Sequence, residues 1–307
     1  MDNRQKEALE IKNKPKGVYH LCTDGTRGTL FNNREQFRYG MCTIALIALQ
    51  FPVEIYTFEL MPTHLHMMLE ATGETCLKVF QFFRHRCIQK LRADGFPLIP
   101  EDYWFKLISL HDEKSQSQNF IYLTRNPYEK DYCIPGTYPW GSGYLFFNKL
   151  APYISGTRVE KMKGTELRLI TGSKVPLPDH WEIHPELGVL PKNYIRTEFV
   201  KSLFDSPKAY MTKMVKDYES FVHLAQVLQE EISFSKSELD DIVYGKARAM
   251  YPGKMIKELT GDEKGRLAVA LERQYHLSVP VLANRLFVSE RTVLQFLSSK
   301  DYGYRQW

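Results

Sequence analysis

Two apolar segments with almost no chain between them constrain this fold more than any other part of the sequence. "VEIYTFELM" and "HLHMMLEA" are separated only by a Pro-Thr pair. Their β-branched and aromatic residues are typical of strands, and the proline marks a turn. So short a connection cannot carry a crossover, so the two strands must pair antiparallel. The sequence therefore predicts a β-hairpin.

The segments around the hairpin predict the rest of the first domain. "GVYHLCT" and "YWFKLISL" resemble strands, whereas "NNREQFRYGMCTIALIALQF", "ETCLKVFQFFRHRCIQKLRADG" and "DEKSQSQNFIYLTRN" have helical periodicity. The order is strand, helix, strand, strand, helix, strand, helix. This order predicts an α+β, ferredoxin-like fold, in which a four-stranded antiparallel sheet has helices on one face and its other face available.

Length and composition limit the classes of protein. The chain has 307 residues and a net charge of +5, which suggests two or three domains and permits a nucleic-acid partner without requiring one. Its five cysteines form no CxxC pair, which argues against a disulfide framework and a structural zinc site. The sequence has no signal-peptide pattern and no membrane-spanning run. We expect a soluble, cytoplasmic protein.

Composition divides the chain into three parts. Residues 1–150 form the α+β domain, residues 151–200 are rich in Pro, Gly and Tyr and are predicted to be an irregular linker or extension, and residues 201–307 are mainly helical. Near 262–299 the pattern predicts a helix-turn-helix whose second helix begins after Ser289. That helix would present Arg291, Thr292 and Gln295 to a DNA major groove.

The hairpin carries a candidate metal site. His64 and His66 are one residue apart in the second strand, so both imidazoles project from the same face and can hold a divalent cation. The alternative is a pair of ordinary core or surface histidines. Further along, Tyr122 and Asn126 are four residues apart on one helix face. A metal-bound phosphodiester attacked by the phenol oxygen is the chemistry that this combination suggests.

Three stretches carry a family resemblance. "GVYHLCTDGTRGTLFNNREQF", "FELMPTHLHMMLEA" and "FIYLTRNPYEKDYCIPGTYPWGSGY" are similar to successive landmarks of the single-tyrosine HUH transposases, most closely the REP-associated tyrosine transposases. The resemblance covers roughly residues 15–147. It implies that His64 and His66 bind Mg²⁺ or Mn²⁺, that Tyr122 is the nucleophile and that Asn126 is a third ligand.

The sequence departs from the family pattern near both motifs. Thr63 stands where the family usually has Asn, and Thr124 replaces a His. Neither change removes a catalytic group, although Thr124 cannot perform whatever the His does in the family. Tyr128 remains an alternative nucleophile.

Basic residues suggest a path for DNA. Arg84, Arg86 and Lys90 on the second helix and Arg27 in the first loop are candidates for phosphate contacts, and a solvated helix face is the alternative for each of them. The expected partner is single-stranded or hairpin DNA, with palindromic repeats as one candidate, bound by a monomer or a homodimer.

The leading functional hypothesis is a DNA endonuclease and strand transferase that works through a 5′-phosphotyrosine. Two alternatives stay open. One is a rolling-circle replication initiator, although the sequence has no GxxxxGK[ST] motif. The other is a DNA-binding regulator that acts through the helix-turn-helix and no longer cuts.

Overall fold

The predicted hairpin lies at one edge of a four-stranded antiparallel sheet. Strands β1 (Gly17–Thr23), β2 (Glu54–Leu60), β3 (Leu65–Ala71) and β4 (Phe105–Ser109) are ordered β2-β3-β1-β4, and every neighbouring pair is antiparallel. This is the predicted ferredoxin-like order. The structure is a computed structural model that describes residues 3–25, 28–129, 137–146, 154–206, 209–210, 213–214, 222, 234 and 236–299.

Helices cover both faces of this sheet. Helices α2 (Arg34–Gln50) and α3 (Gly73–Ala93) lie on one face, where the ring of Phe80 is 4.5 Å from that of Phe105. Helix α4 (Glu113–Glu129) lies on the opposite face. The expectation of an available second face is therefore wrong, because α4 contributes a third layer of apolar side chains. A further helix, α1 (Asn3–Lys12), was not predicted, since it is polar along most of its length.

Residues 154–206 pack onto the first domain rather than linking two domains. They form a three-stranded sheet and two helices: β5 (Thr157–Arg158), α5 (Gly164–Thr171), β6 (Glu182–His184), β7 (Gly188–Val189) and α6 (Thr197–Ser202). Trp181, Ile183 and Val189 are buried with Cys42 and Leu46 of α2. The chain divides into compact units at Met1–Met214 and Val215–Trp307, later than the boundaries predicted at 150 and 200.

The second unit is helical in its described part. Its helices are α7 (Lys236–Met250), α8 (Gly261–Tyr275), α9 (Val279–Leu286) and α10 (Glu290–Ser298). The turn between α9 and α10 has Phe287 in the left-handed region (φ 54°), where glycine is usual. Ser289 caps α10 as predicted, accepting a hydrogen bond from the Thr292 amide. No helix in the described ranges is long and apolar enough to cross a membrane.

A buried carboxyl group attaches residues 137–146 to β2. Glu59 is 1% exposed, and its Oε1 accepts a hydrogen bond from the Gly143 amide at 3.0 Å. A Cβ at Gly141 would lie 1.8 Å from Glu59 Oε2 and 2.7 Å from the Phe58 carbonyl oxygen, so only glycine permits this approach. Burial raises the pKa of Glu59 well above its ordinary 4.5. Burial therefore favours the protonated, neutral form of this carboxyl group.

Glu59→Gln should stabilise the protein at neutral pH. The unfolded state loses the Glu59 proton above about pH 4.5 while the folded state keeps it, so the free energy of unfolding of the wild type falls as pH rises through this range. Each unit between the two pKa values is worth about 1.4 kcal/mol. Urea unfolding at pH 4 and pH 7.5 should show the Glu59→Gln variant to be the more stable protein only at the higher pH. Equal pH profiles would mean that Glu59 is ionised in the fold.

Candidate functional site

Strand register brings three potential ligands to one face of the sheet. Cys22 on β1 pairs directly with His66 on β3, and His20 is two residues before Cys22. Directly paired residues point to the same side of a sheet, and so do residues two apart along a strand. His20 and His66 are fully buried, and His64, just before β3, is 8% exposed. The face that carries them is the one covered by α4.

Hydrogen bonds fix how the histidine rings are turned. His20 Nε2 lies 3.0 Å from His66 Nδ1, and the Asn119 side-chain amide on α4 lies 2.8 Å from His20 Nδ1. His64 Nδ1 lies 2.9 Å from Thr63 Oγ1. His64 and His66 thus each hydrogen-bond a neighbouring side chain through Nδ1. The other ring nitrogen, Nε2, points away from that side chain.

The two predicted ligands are close together, and His66 is in the protonation state that a metal needs. The ring centroids of His64 and His66 are 4.6 Å apart. Burial lowers the pKa of His66 to about 3, so its imidazole is neutral at physiological pH, as metal binding requires. Gly25 makes room for His64, since a Cβ there would lie 2.9 Å from His64 Nδ1.

Tyr122 reaches the histidines. Its ring centroid is 5.6 Å from that of His66 and 6.0 Å from that of His20. Tyr122 is 1% exposed, so the phenol is enclosed in the described arrangement. The sequence could propose this neighbour but could not place it, because the strand and the helix are distant along the chain.

The surroundings of Asn126 and Tyr128 do not test the roles predicted for these two residues. The Asn126 side-chain amide donates to the main-chain carbonyl of Tyr122 at 3.3 Å, which is a contact within α4. A ligand role for Asn126 therefore stays a prediction. The side chain of Tyr128 lies outside the described residues.

His20, Cys22 and Asn119 were missed by sequence reasoning. The ligand atoms of His20, Cys22 and His66 all lie within 4.8 Å of one another, so these residues are a second donor set that shares His66. The signal was present, because "HLC" in β1 has the same i, i+2 spacing as "HLH" in β3. The Cys22 thiol donates a hydrogen bond to the Thr23 carbonyl at 3.5 Å. A metal ion at this set would have to displace the thiol proton, because the thiolate is the form that binds metal.

The basic residues predicted to bind DNA differ in their surroundings. Arg86 is 7% exposed, donates to the carbonyl oxygens of Thr171 and Gly172 at 2.6 and 2.8 Å, and lies over the Tyr39 ring at 4.2 Å. Because these contacts occupy and bury the guanidinium group, Arg86 is not presented to a phosphate. Instead it ties α3 to the C-terminal end of α5.

Two other predicted contacts on α3 are partly engaged. Lys90 binds Glu35 at 2.8 Å and Asp94 at 2.9 Å. Arg84 donates to the main-chain carbonyls of Pro100 and Glu101. Arg27 lies outside the described residues.

The predicted reading helix, α10, exposes two of its three candidates. Arg291 and Gln295 are exposed, whereas Thr292 is half-buried and its hydroxyl lies 2.8 Å from that of Ser289. Leu282, Leu286 and Val293 are buried between the helices. The geometry of two short packed helices is present, and DNA binding by them stays a prediction.

Comparison with known proteins gives one likeness of fold. No protein-family model matches the chain, and neither does any curated protein. The chain is similar to a solved REP-associated tyrosine transposase bound to a REP hairpin, with 16% identity and a TM-score of 0.36. The likeness covers 44% of this chain and 82% of that one.

Arg86→Met should destabilise the fold without a specific effect on DNA binding. The substitution removes hydrogen bonds from a charged donor to two carbonyls, and such bonds are worth about 1.5–3 kcal/mol each. We expect a loss of about 2–4 kcal/mol in urea unfolding. The matched control is Arg92→Met, at an exposed position of the same helix, with a change within about 0.5 kcal/mol. A variant that keeps its stability but binds DNA more weakly would make Arg86 a DNA contact after all.

Proposed function

We propose that this chain is a metal-dependent single-strand DNA endonuclease and strand transferase, a transposase that cleaves hairpin or repeat DNA through a 5′-phosphotyrosine. The observation that carries the proposal is the position of Tyr122 against His66, with ring centroids 5.6 Å apart. A phenol beside a pair of buried imidazoles is the arrangement that metal-assisted attack of a tyrosine on a phosphodiester would need. The resemblance of the same residues to the single-tyrosine HUH transposases agrees with it.

The reaction requires an attacking oxygen, a stabilised phosphate and a leaving group. The Tyr122 phenol releases its proton as its oxygen bonds to phosphorus, the bond from phosphorus to the 3′ oxygen breaks, and the 3′ oxygen takes up a proton, so no net proton is gained or lost. The strand downstream of the cut is then held on Tyr122 through its 5′-phosphate. A 3′-hydroxyl that attacks this phosphotyrosine rejoins two strands. Mg²⁺ or Mn²⁺ held by His64 and His66, with Asn126 as a proposed third ligand, would polarise the phosphate and stabilise the charge that develops on it.

The residues of this chain supply position and exclude water. His66 is held by its bond to His20, so its Nε2 has one direction, and Tyr122 is held on α4 against the same ring. Near-complete burial keeps solvent away from both groups.

Hairpin or single-stranded DNA is the proposed partner. The sequence resemblance to the REP-associated tyrosine transposases suggests it, and the chain has exposed basic residues in both units, including Arg92 and Arg291. We assign base or phosphate contacts to α10 through Arg291 and Gln295. A cytoplasmic monomer or homodimer is consistent with this role.

Tyr122→Phe should abolish the covalent adduct while leaving DNA binding nearly intact. The substitution removes the attacking oxygen and keeps the ring that packs on His66. Binding should change by less than about 1 kcal/mol, the value of one hydrogen bond. The measurement is gel electrophoresis of labelled hairpin DNA incubated with full-length protein and Mn²⁺, with Tyr128→Phe as the control.

The outcomes of that experiment separate the alternatives. An adduct that persists in Tyr122→Phe and disappears in Tyr128→Phe would move the nucleophile to Tyr128. Wild-type protein that binds DNA but never forms an adduct would favour the non-cutting regulator. Cleavage of a plasmid-origin substrate in preference to a hairpin would favour the replication initiator.

Arg291→Ala should weaken binding of hairpin DNA. If Arg291 neutralises one phosphate, its loss lowers the slope of log K against log salt concentration by about 1. Arg248→Ala, at an exposed position on α7 of the same unit, is the matched control. Fluorescence anisotropy across a salt series measures both. Identical slopes for wild type and Arg291→Ala would show that α10 does not contact the phosphate backbone through this residue.

A further inference from the structure

Three buried side chains form a hydrogen-bonded chain that ends at the proposed metal ligand. Asn119 Nδ2 lies 2.8 Å from His20 Nδ1, and His20 Nε2 lies 3.0 Å from His66 Nδ1. Asn119, His20 and His66 are each fully buried. The chain runs from α4 through β1 to β3, so it connects the helix that carries Tyr122 to the strand that carries the histidine pair.

The donor-to-acceptor direction of these two hydrogen bonds determines which ring nitrogen of His66 carries the proton. A neutral imidazole has one N–H and one accepting nitrogen. With the amide nitrogen of Asn119 donating to His20 Nδ1, the His20 proton is on Nε2 and is donated to His66 Nδ1. His66 then has its own proton on Nε2. In this direction Nε2 is a donor and has no lone pair for a cation.

Metal binding through Nε2 requires the opposite direction. His66 Nδ1 must then donate to His20 Nε2, and His20 Nδ1 must donate to an acceptor on residue 119. Asn119 can provide one if its amide rotates by 180°, because oxygen and nitrogen occupy equivalent places at the end of the side chain. In the described arrangement Asn119 Oδ1 is buried and makes no hydrogen bond with any described residue.

We propose that Asn119 and His20 are positioning residues that set the tautomer of His66, and that rotation of the Asn119 amide converts His66 Nε2 from a donor into a metal ligand. This inference rests on the proposed function, because it takes His66 to be a ligand. Asparagine is the side chain of this size that can serve in both directions. An aspartate can only accept, and a leucine can do neither.

The proposal predicts opposite effects for two substitutions at one position. The carboxylate of Asn119→Asp can only accept from His20 Nδ1, so this variant should bind Mn²⁺ about tenfold more tightly than the wild type. Asn119→Leu removes the partner of His20 and should weaken Mn²⁺ binding by about 10- to 100-fold, the range typical of a lost outer-shell partner. Isothermal titration of full-length, DNA-free protein with Mn²⁺ measures both. Gln118→Glu adds the same charge one residue earlier in α4 and should leave the affinity near that of the wild type.

A second measurement reads the tautomer without any metal. Long-range ¹H–¹⁵N spectra distinguish protonation at Nδ1 from protonation at Nε2. We expect His66 to be protonated at Nε2 in metal-free wild type, and at Nδ1 in metal-free Asn119→Asp and in wild type saturated with Mg²⁺. A merely structural Asn119 would not move this signal.

Each outcome has a definite meaning. Equal weakening of Mn²⁺ binding in both Asn119 variants, or a His66 tautomer that is the same in all samples, would overturn the proposal that Asn119 and His20 set this tautomer. A loss of Mn²⁺ affinity in Cys22→Ser as large as that in His66→Ala would replace it with direct ligation by His20, Cys22 and His66. If neither Asn119 variant behaves as expected but the wild type binds Mn²⁺ and forms the Tyr122 adduct, the proposal about the tautomer is wrong and the proposed function is still supported. Wild type that binds no Mn²⁺ and forms no adduct ends both.

Discussion

The pairing of β1 with β3 is the interaction on which the candidate site depends. Its register sets Cys22 against His66 and places His20 on the same face. A shift by one residue would turn His66 and Met68 to the α2–α3 face and bring Leu65, Met67 and Leu69 towards α4. Both faces are apolar, so the polar groups on the α4 side specify the register: the His20–His66 bond can form in only one alignment.

Helix α4 is enclosed from two sides. One side packs its Asn119 and Tyr122 against the histidines of the sheet. The other packs Phe120 against the rings of Phe146, Phe204 and Tyr210, at centroid distances of 4.9, 5.7 and 5.8 Å. The helix with the proposed nucleophile is thus a middle layer. Apolar burial on its outer side compensates for the cost of enclosing polar groups on its inner side.

Local patterns were enough for most of the sheet and for the placement of His64 beside His66. A connection of a few residues forces an antiparallel hairpin, and i, i+2 spacing predicts that His64 and His66 project to the same side, so both follow from neighbours in the sequence. His20 is 46 residues from its partner His66, and nothing in "GVYHLCT" states which strand it will pair with. The side-chain contacts of Arg86 depend on carbonyls 85 and 86 residues away, at the C-terminal end of α5. Long-range partners of this kind are decided by packing, which a single sequence does not report.

Burial of Tyr122 and His66 has a consequence for how any substrate reaches them. A phosphodiester is charged and bulky, and neither group has more than 1% of its surface exposed. Binding must therefore either lift α4 from the sheet or displace the groups that cover its ends. On the first route the contact between Asn119 and His20 breaks, so only the second route leaves intact the hydrogen bonds that lead to His66. Helix α4 thus carries both the proposed nucleophile and the residue proposed to set the tautomer of the metal ligand.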